Sequence, residues 1–399
     1  MTAYFLLRPA RDALSSDWTD VQLSWLWTFT FFFSVIAVSI YGGVISRLRF
    51  KIIVPSVYTF FALTFVGFWM VGSYYGDQND LVNRSFYVWL SVFSLFHISV
   101  FWSFTSGIYN KEQAKRLYAI IAIGATAGTI VGSTIASFFT EEIGRLNLLL
   151  IAGAILLVPI PLIGVLERLR VTDLDNEDVQ ADLTRAQQLG KNPFSGFTSF
   201  VKSPYLLAIG LFIVFYVTMS TFIYFELRDV FRPFDGDVRT QYWARIDLAV
   251  NILAALVALF ATGRLATRAG MPTTLALIPL LMVGGWLIVA INPAMGVLVG
   301  LQIARRAGNY AITRPAREML FTIVDAETRL KAKPVIDIVV YRGGDVVNAW
   351  LYTAITATFG LGLAGVALVS AAICAAWAGA GIFLGREFDR KDGQSAVHD

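Results

Sequence analysis

The chain has 399 residues, of which 56% are hydrophobic, 14% aromatic and only 15% charged, with a formal net charge of +4. A soluble domain keeps about 25% of its residues charged to hold its surface in water, so this composition excludes an ordinary water-soluble fold. The basic residues sit in short stretches between apolar runs, and the positive balance therefore describes no nucleic-acid-binding face.

The sequence holds one cysteine, Cys374, and two histidines, His97 and His398. That excludes an intrachain disulfide, a cysteine metal cluster and paired-histidine zinc chemistry. It also has no phosphate-binding loop of the GxxxxGK[ST] type, so an ATP-driven pump within this chain is excluded. No nucleophile–base pair is visible, and neither an enzyme nor a cofactor or metal is expected. The N-terminus has neither a basic leader nor a cleavage site.

The apolar runs are continuous and about 20 residues long, enough to cross roughly 30 Å of hydrocarbon as a helix. They do not alternate as barrel strands would, so the expected class is an all-α polytopic membrane protein. Residues 2–7 read as the last turns of a first span whose beginning is missing, as a late-assigned start codon would leave it. Further spans follow at about 21–45, 52–75, 86–108, 117–139, 146–166, 205–226, 243–262, 271–292, 294–322, 335–357 and 361–384. Twelve spans put both ends on one side. One alternate set of loops carries 19 Lys and Arg, the opposite set 7. By the positive-inside rule both termini face the cytoplasm, in the inner membrane of the cell.

Two six-span halves follow: a bundle over 1–166, a cytoplasmic linker over 167–203, a bundle over 204–386 and a tail over 387–399. The halves echo each other. Arg11-Asp12 is matched by Arg228-Asp229, 217 positions on, and Asn110-Lys111-Glu112 by Asp325-Ala326-Glu327, 215 positions on. Six plus six with a central cytoplasmic loop is the layout of the major facilitator fold, in which binding takes place near mid-membrane.

Six cations fall at membrane depth: Arg245, Arg305, Arg306, Arg314, Arg317 and Arg342. Each charge at mid-membrane costs about 2.5–3.5 kcal/mol on insertion scales, so each needs a reason. At α-helical spacing Arg306, Asn309, Tyr310, Thr313 and Arg317 share one face of span ten. Asp337, Tyr341, Asp345 and Asn348 share one face of span eleven, Lys333 extends it, and Arg342 is spaced to pair with Asp345. These groups either neutralise one another between helices or line a water-filled cavity that attracts an anion. Glu226 is placed either in that cavity or in an ion pair with Arg228. Gly124, Gly128 and Gly132 form two overlapping GxxxG steps that suit close helix packing. His97 reads as a hydrogen-bonded interior residue, and the Phe and Trp runs as lipid-facing or interfacial.

The segment Phe5-Leu6-Leu7-Arg8-Pro9-Ala10-Arg11-Asp12-Ala13-Leu14 resembles the first-span signature of the ATP/ADP translocase family of plastids and intracellular bacteria. Phe101-Trp102 with Lys111–Tyr118, and Lys331–Gly344, resemble two further family segments in the same order. Arg306–Thr322 is similar to a broader set of bacterial facilitator-type proteins. The translocase resemblance implies that Arg11 stands for the family's first-span lysine and Glu226 for its seventh-span glutamate. The fourth-span glutamate has no counterpart near Leu90-Ser91, and the eleventh-span lysine falls on Asp345, a reversal of sign. The function expected is a secondary transporter or exchanger of a small anionic organic solute, with nucleotides as one candidate class and no obligate protein partner. The alternative is a non-transporting membrane sensor or assembly partner docking through the 167–203 loop.

Overall fold

The structure is a computed structural model that describes residues 1–45, 50–76, 79–108, 111–172, 195–260, 269–324, 332–333 and 335–395. Among these the chain is helical throughout and forms no strand. In chain order the helices are α1 (Thr2–Leu14), α2 (Asp20–Ile45), α3 (Phe50–Tyr75), α4 (Asp80–Ile108), α5 (Lys111–Ile143), α6 (Leu148–Leu157) and α7 (Pro159–Thr172). After the linker come α8 (Ser195–Lys202), α9 (Pro204–Phe231), α10 (Gly236–Phe260), α11 (Gly270–Ile291), α12 (Met295–Gly308), α13 (Arg314–Leu320), α14 (Tyr341–Thr353) and α15 (Leu363–Ser395). Helices are the only open-ended way to satisfy every backbone polar group in hydrocarbon, which is why no irregular segment interrupts these runs for long.

Helices lie over the twelve expected segments, the first of them running on to Leu14 beyond the expected 2–7, and three spans are interrupted. Span six is two helices, broken at Val158 just before Pro159, because proline cannot donate the hydrogen bond that would continue the ladder. Span ten is α12 and α13 joined by a π-helical turn, Asn309–Thr313. Span eleven is α14 flanked by π-helical turns Val335–Val340 and Ala354–Thr358. Among the described residues eight segments are long and apolar enough to cross a membrane: α2, α3, α5, α9, α10, α11, α15 and Leu148–Val165, which runs across the break between α6 and α7. Spans one, four, ten and eleven are not among them; α1 is 13 residues long, and buried polar and charged side chains lower the apolarity of spans ten and eleven.

The chain divides into two compact units. The first comprises Met1–Asp17, Thr28–Lys191 and Arg232–Leu248; the second comprises Trp18–Trp27, Asn192–Phe231 and Ala249–Asp399. In the first, α1 packs against α4, α5 and α6, and Leu6, Leu7 and Ala13 are fully buried. Small residues make that possible. A Cβ on Gly132 would collide with the carbonyl oxygen of Thr2 and lie 3.1 Å from the backbone nitrogen of Leu6. Gly128 faces Thr2 in the same way, whereas Gly124 has nothing near it, so one of the two GxxxG steps is used. In the second unit α11 and α15 are similarly close, and Gly381 and Gly385, four apart on α15, lie against Leu275 and Pro272. That pair escaped the sequence reading.

Phe29, Phe32 and Phe33 lie on the surface, as a lipid-facing run should. Gly132→Ala is expected to lower the unfolding temperature of detergent-purified protein, at an overpacking cost of about 1–3 kcal/mol. Gly124→Ala should raise it slightly or leave it alone, since about 0.5–1 kcal/mol of helix propensity is gained with nothing to displace. Equal responses at the two positions would contradict the packing.

Candidate functional site

Two buried polar clusters organise the units, and each begins with an arginine followed directly by an aspartate. In the first unit, Nε and Nη2 of Arg11 both donate to Oδ1 of Asp12, at 3.0 and 2.6 Å. Nη1 of Arg11 donates to the Ser91 hydroxyl at 3.2 Å, and the guanidinium lies 5.4 Å from the centre of the Tyr87 ring. Arg8 reaches both Asp12, at 3.4 Å, and Asp247 on α10, at 3.5 Å. Asp12 and Asp247 are each 2% exposed.

In the second unit, Nε and Nη2 of Arg228 donate to Oδ1 of Asp229 at 3.1 and 2.7 Å, the same two-pronged geometry as Arg11 on Asp12. Arg228 also pairs with Asp20, whose other carboxylate oxygen accepts from Thr356 at 2.7 Å. Glu226 is 6% exposed and accepts the Tyr352 hydroxyl at 2.9 Å. The close partner of Glu226 is thus a tyrosine of α14. Rings of Phe222 and Phe225 flank Tyr352 at 5.3 and 4.7 Å.

The seam between α9 and α14 carries further polar contacts. Thr218 donates to Oδ1 of Asn348 at 2.8 Å, and Asn348 donates to the Gly344 carbonyl at 2.8 Å. Tyr216 and Tyr341 have ring centres 6.0 Å apart. Gly344 allows the approach, since a Cβ there would sit 3.3 Å from Val217. Asp345 and Arg342 pair at 3.6 Å, as their spacing suggested.

Span ten differs from a single polar stripe. Arg306 and Thr313 are buried, Asn309 and Arg317 are partly exposed, and Tyr310 is 39% exposed. The π turn at Asn309–Thr313 takes one residue more per turn than an α-helix, so residues before and after it no longer keep α-helical phase. Arg317 pairs with Glu318 at 3.4 Å, and Glu318 also takes Lys333 at 2.5 Å. Arg314 is exposed, and Arg245 is an exposed residue bonded to Gln241 at 3.1 Å. The side chain of Asp337 lies outside the described residues. His97 is buried, hydrogen-bonded to the Phe93 carbonyl at 3.2 Å and stacked on the Phe93 ring.

Arg305, which the stripe on span ten leaves out, is more deeply enclosed than most of the residues in it, at 2% exposed. Its signal in the sequence was present, as a charge in an apolar run, but helical phase set it aside. A crevice of about 460 Å³ in the first unit, lined by Ala10, Phe68, Asn83, Phe86 and Arg145 among others, includes none of the expected site residues.

Residues 1–315 match the profile of the Major Facilitator Superfamily. No curated protein matches the chain at a significant level. Among solved structures, the crystal structure of a bacterial homolog to the human lysosomal transporter Spinster, in an inward-facing and unoccupied conformation, is similar with a TM-score of 0.61. The match covers 98% of this chain and 95% of that one at 13% sequence identity, a likeness of fold alone. The helical architecture and the profile match over most of the length lead to one assignment: the chain is a multi-pass membrane protein belonging to the Major Facilitator Superfamily.

Proposed function

We propose that this secondary transporter carries a small anionic organic solute, drawn to the cationic, polar interior of the second unit. The observation that carries the reading is Arg306, 3% exposed on α12 one turn before a π-helical segment. A guanidinium at membrane depth attracts an anion, because charge attraction strengthens as the local dielectric falls. Thr218, Asn348, Tyr352 and Glu226 supply neutral and acidic hydrogen-bonding groups along the adjoining seam. Small polar groups of that kind fix orientation while a charge supplies attraction. Asp345 is positioned to respond to occupancy, since its partner Arg342 lies one turn away on the same helix.

Nucleotides are the finer candidate, on the strength of the first-span and eleventh-span resemblance. Against that pose stand two facts. Arg11 is already held by Asp12 and Ser91, and position 345 offers a carboxylate where the family places a cation. The broader class of organic anions therefore leads.

Uptake by proteoliposomes from a panel of labelled nucleotides and monocarboxylates tests the reading. Arg306→Ala should lower uptake of the accepted anion by about 100-fold or more, from the roughly 3 kcal/mol carried by a buried charge contact. The variant should still elute as a monodisperse protein. A well-folded variant with wild-type uptake would remove Arg306 from the site. A wild type that moves no solute would turn the reading to a sensor or assembly partner.

We also propose that both termini lie in the cytoplasm, from the excess of Lys and Arg on that set of loops. Reporter fusions after Arg386 and within 175–185 should give cytoplasmic signals. A periplasmic signal at either place would reverse the orientation.

A further inference from the structure

Arg305 and Arg306 are neighbours in sequence, yet about 100° apart around the helix, and Arg305 has a setting of its own. Its Nε and Nη2 both donate to Oε1 of Gln302, at 3.2 and 2.8 Å, one turn earlier on α12. Gln302 is itself buried, and the guanidinium lies 5.2 Å from the centre of the Tyr216 ring. A neutral amide and an aromatic face fix where this guanidinium points. They do not neutralise it.

The contrast with Arg228 is direct. Arg228 is equally buried and is met by two carboxylates. Arg305 has no carboxylate within ion-pair distance among the described residues, and its Nη1 has no hydrogen-bond partner among them. The same Tyr216 ring lies 5.9 Å from the ring of Trp377 on α15, which is fully buried. The indole Nε1 of Trp377 also has no partner among the described residues. Two side chains packed against one tyrosine ring thus each carry a buried donor without a partner among the described residues. Leaving a buried donor unsatisfied is costly, more so for a charged group, so two beside one ring call for an acceptor.

Resting on the transport reading above, we propose that Arg305 and Trp377 form a binding site for a single carboxylate group within the second unit. One guanidinium matches one negative charge. The two hydrogens of Nη1 and the indole N–H give three donors, fewer than a doubly charged phosphate needs and enough for two carboxylate oxygens. The rings of Tyr216 and Trp377 suit an apolar or aromatic body behind the carboxylate. The site is enclosed, so entry requires α12 or α15 to yield. The π turn that begins directly after α12 is where the backbone ladder of that span is already altered.

The experiment uses the full chain purified in detergent, with benzoate as the carboxylate probe, benzamide as its neutral counterpart and inorganic phosphate as the alternative anion. Unfolding temperature and tryptophan fluorescence are read together. Benzoate should stabilise the wild type and perturb its fluorescence, while benzamide and phosphate do neither. Arg305→Met should fold at least as stably as the wild type without ligand, since an uncompensated buried charge is gone, and should weaken benzoate binding at least tenfold. Arg305→Lys, which keeps the charge and loses the fork, should fall between the two. Trp377→Phe should weaken binding several-fold and remove most of the fluorescence change.

A wild type indifferent to benzoate, a response to phosphate in its place, or equal benzoate affinity in wild type and Arg305→Met would each overturn the site. Uptake assays separate this inference from the one beneath it. Carboxylate binding that needs Arg305, in a protein that moves no anion, would uphold the site and end the transport reading. Organic-anion uptake with KM unchanged by Arg305→Met would uphold transport and end the site.

Discussion

A guanidinium taken out of water is tolerable only when an acceptor goes with it, and in both units of this protein that acceptor is the next residue in the chain. Arg11 grips Asp12, and Arg228 grips Asp229, each with Nε and Nη2 on one carboxylate oxygen. A pair adjacent in sequence is formed wherever the helix goes, so the charge is compensated before any tertiary contact exists. Tertiary contacts are then added to an already neutral pair. Asp12 recruits Arg8 and, through it, Asp247 of α10; Arg228 recruits Asp20 and, through it, Thr356. Breaking such a network from one side leaves charge stranded in an apolar interior, which costs about 3–5 kcal/mol.

The same geometry recurs at positions 217 apart, because each arginine is followed directly by an aspartate, within units that each supply their own further partners. What differs is the second ring of contacts, a serine and a tyrosine ring around Arg11, a phenylalanine ring and a second aspartate around Arg228.

Much of this was legible in the residues, for reasons of energy. Long apolar runs had to be helices because hydrocarbon leaves backbone groups no other partner, and the composition alone required a membrane. The Arg342–Asp345 pair and the interior His97 followed from spacing and burial. Other features were hidden by the assumption of uniform helical phase. α-Helical spacing puts Tyr310 on one face with Arg306, yet Tyr310 is 39% exposed and Arg306 3%, and a π turn begins at Asn309 between them. Arg305 was set aside by the same reasoning. The partner of Glu226 could not be read from local sequence, since Tyr352 lies 126 positions away and meets it only when α9 and α14 pack. Gly381 and Gly385 were missed because their spacing looks like any other pair of small residues until α11 is laid against them.

The π turn after α12 can be read as a one-residue insertion that evolution or design could take back. Removing one residue between Asn309 and Thr313 would let the ladder run on as a regular α-helix. Because five π residues advance the chain by nearly the turn and rise of four α residues, Arg317 and Glu318 beyond it would stay close to their present places, as would Arg305 and Arg306 before it. The π turn thus absorbs one residue locally, so the length of the span can change by a residue while its membrane-depth cations and its terminal ion pair keep their register.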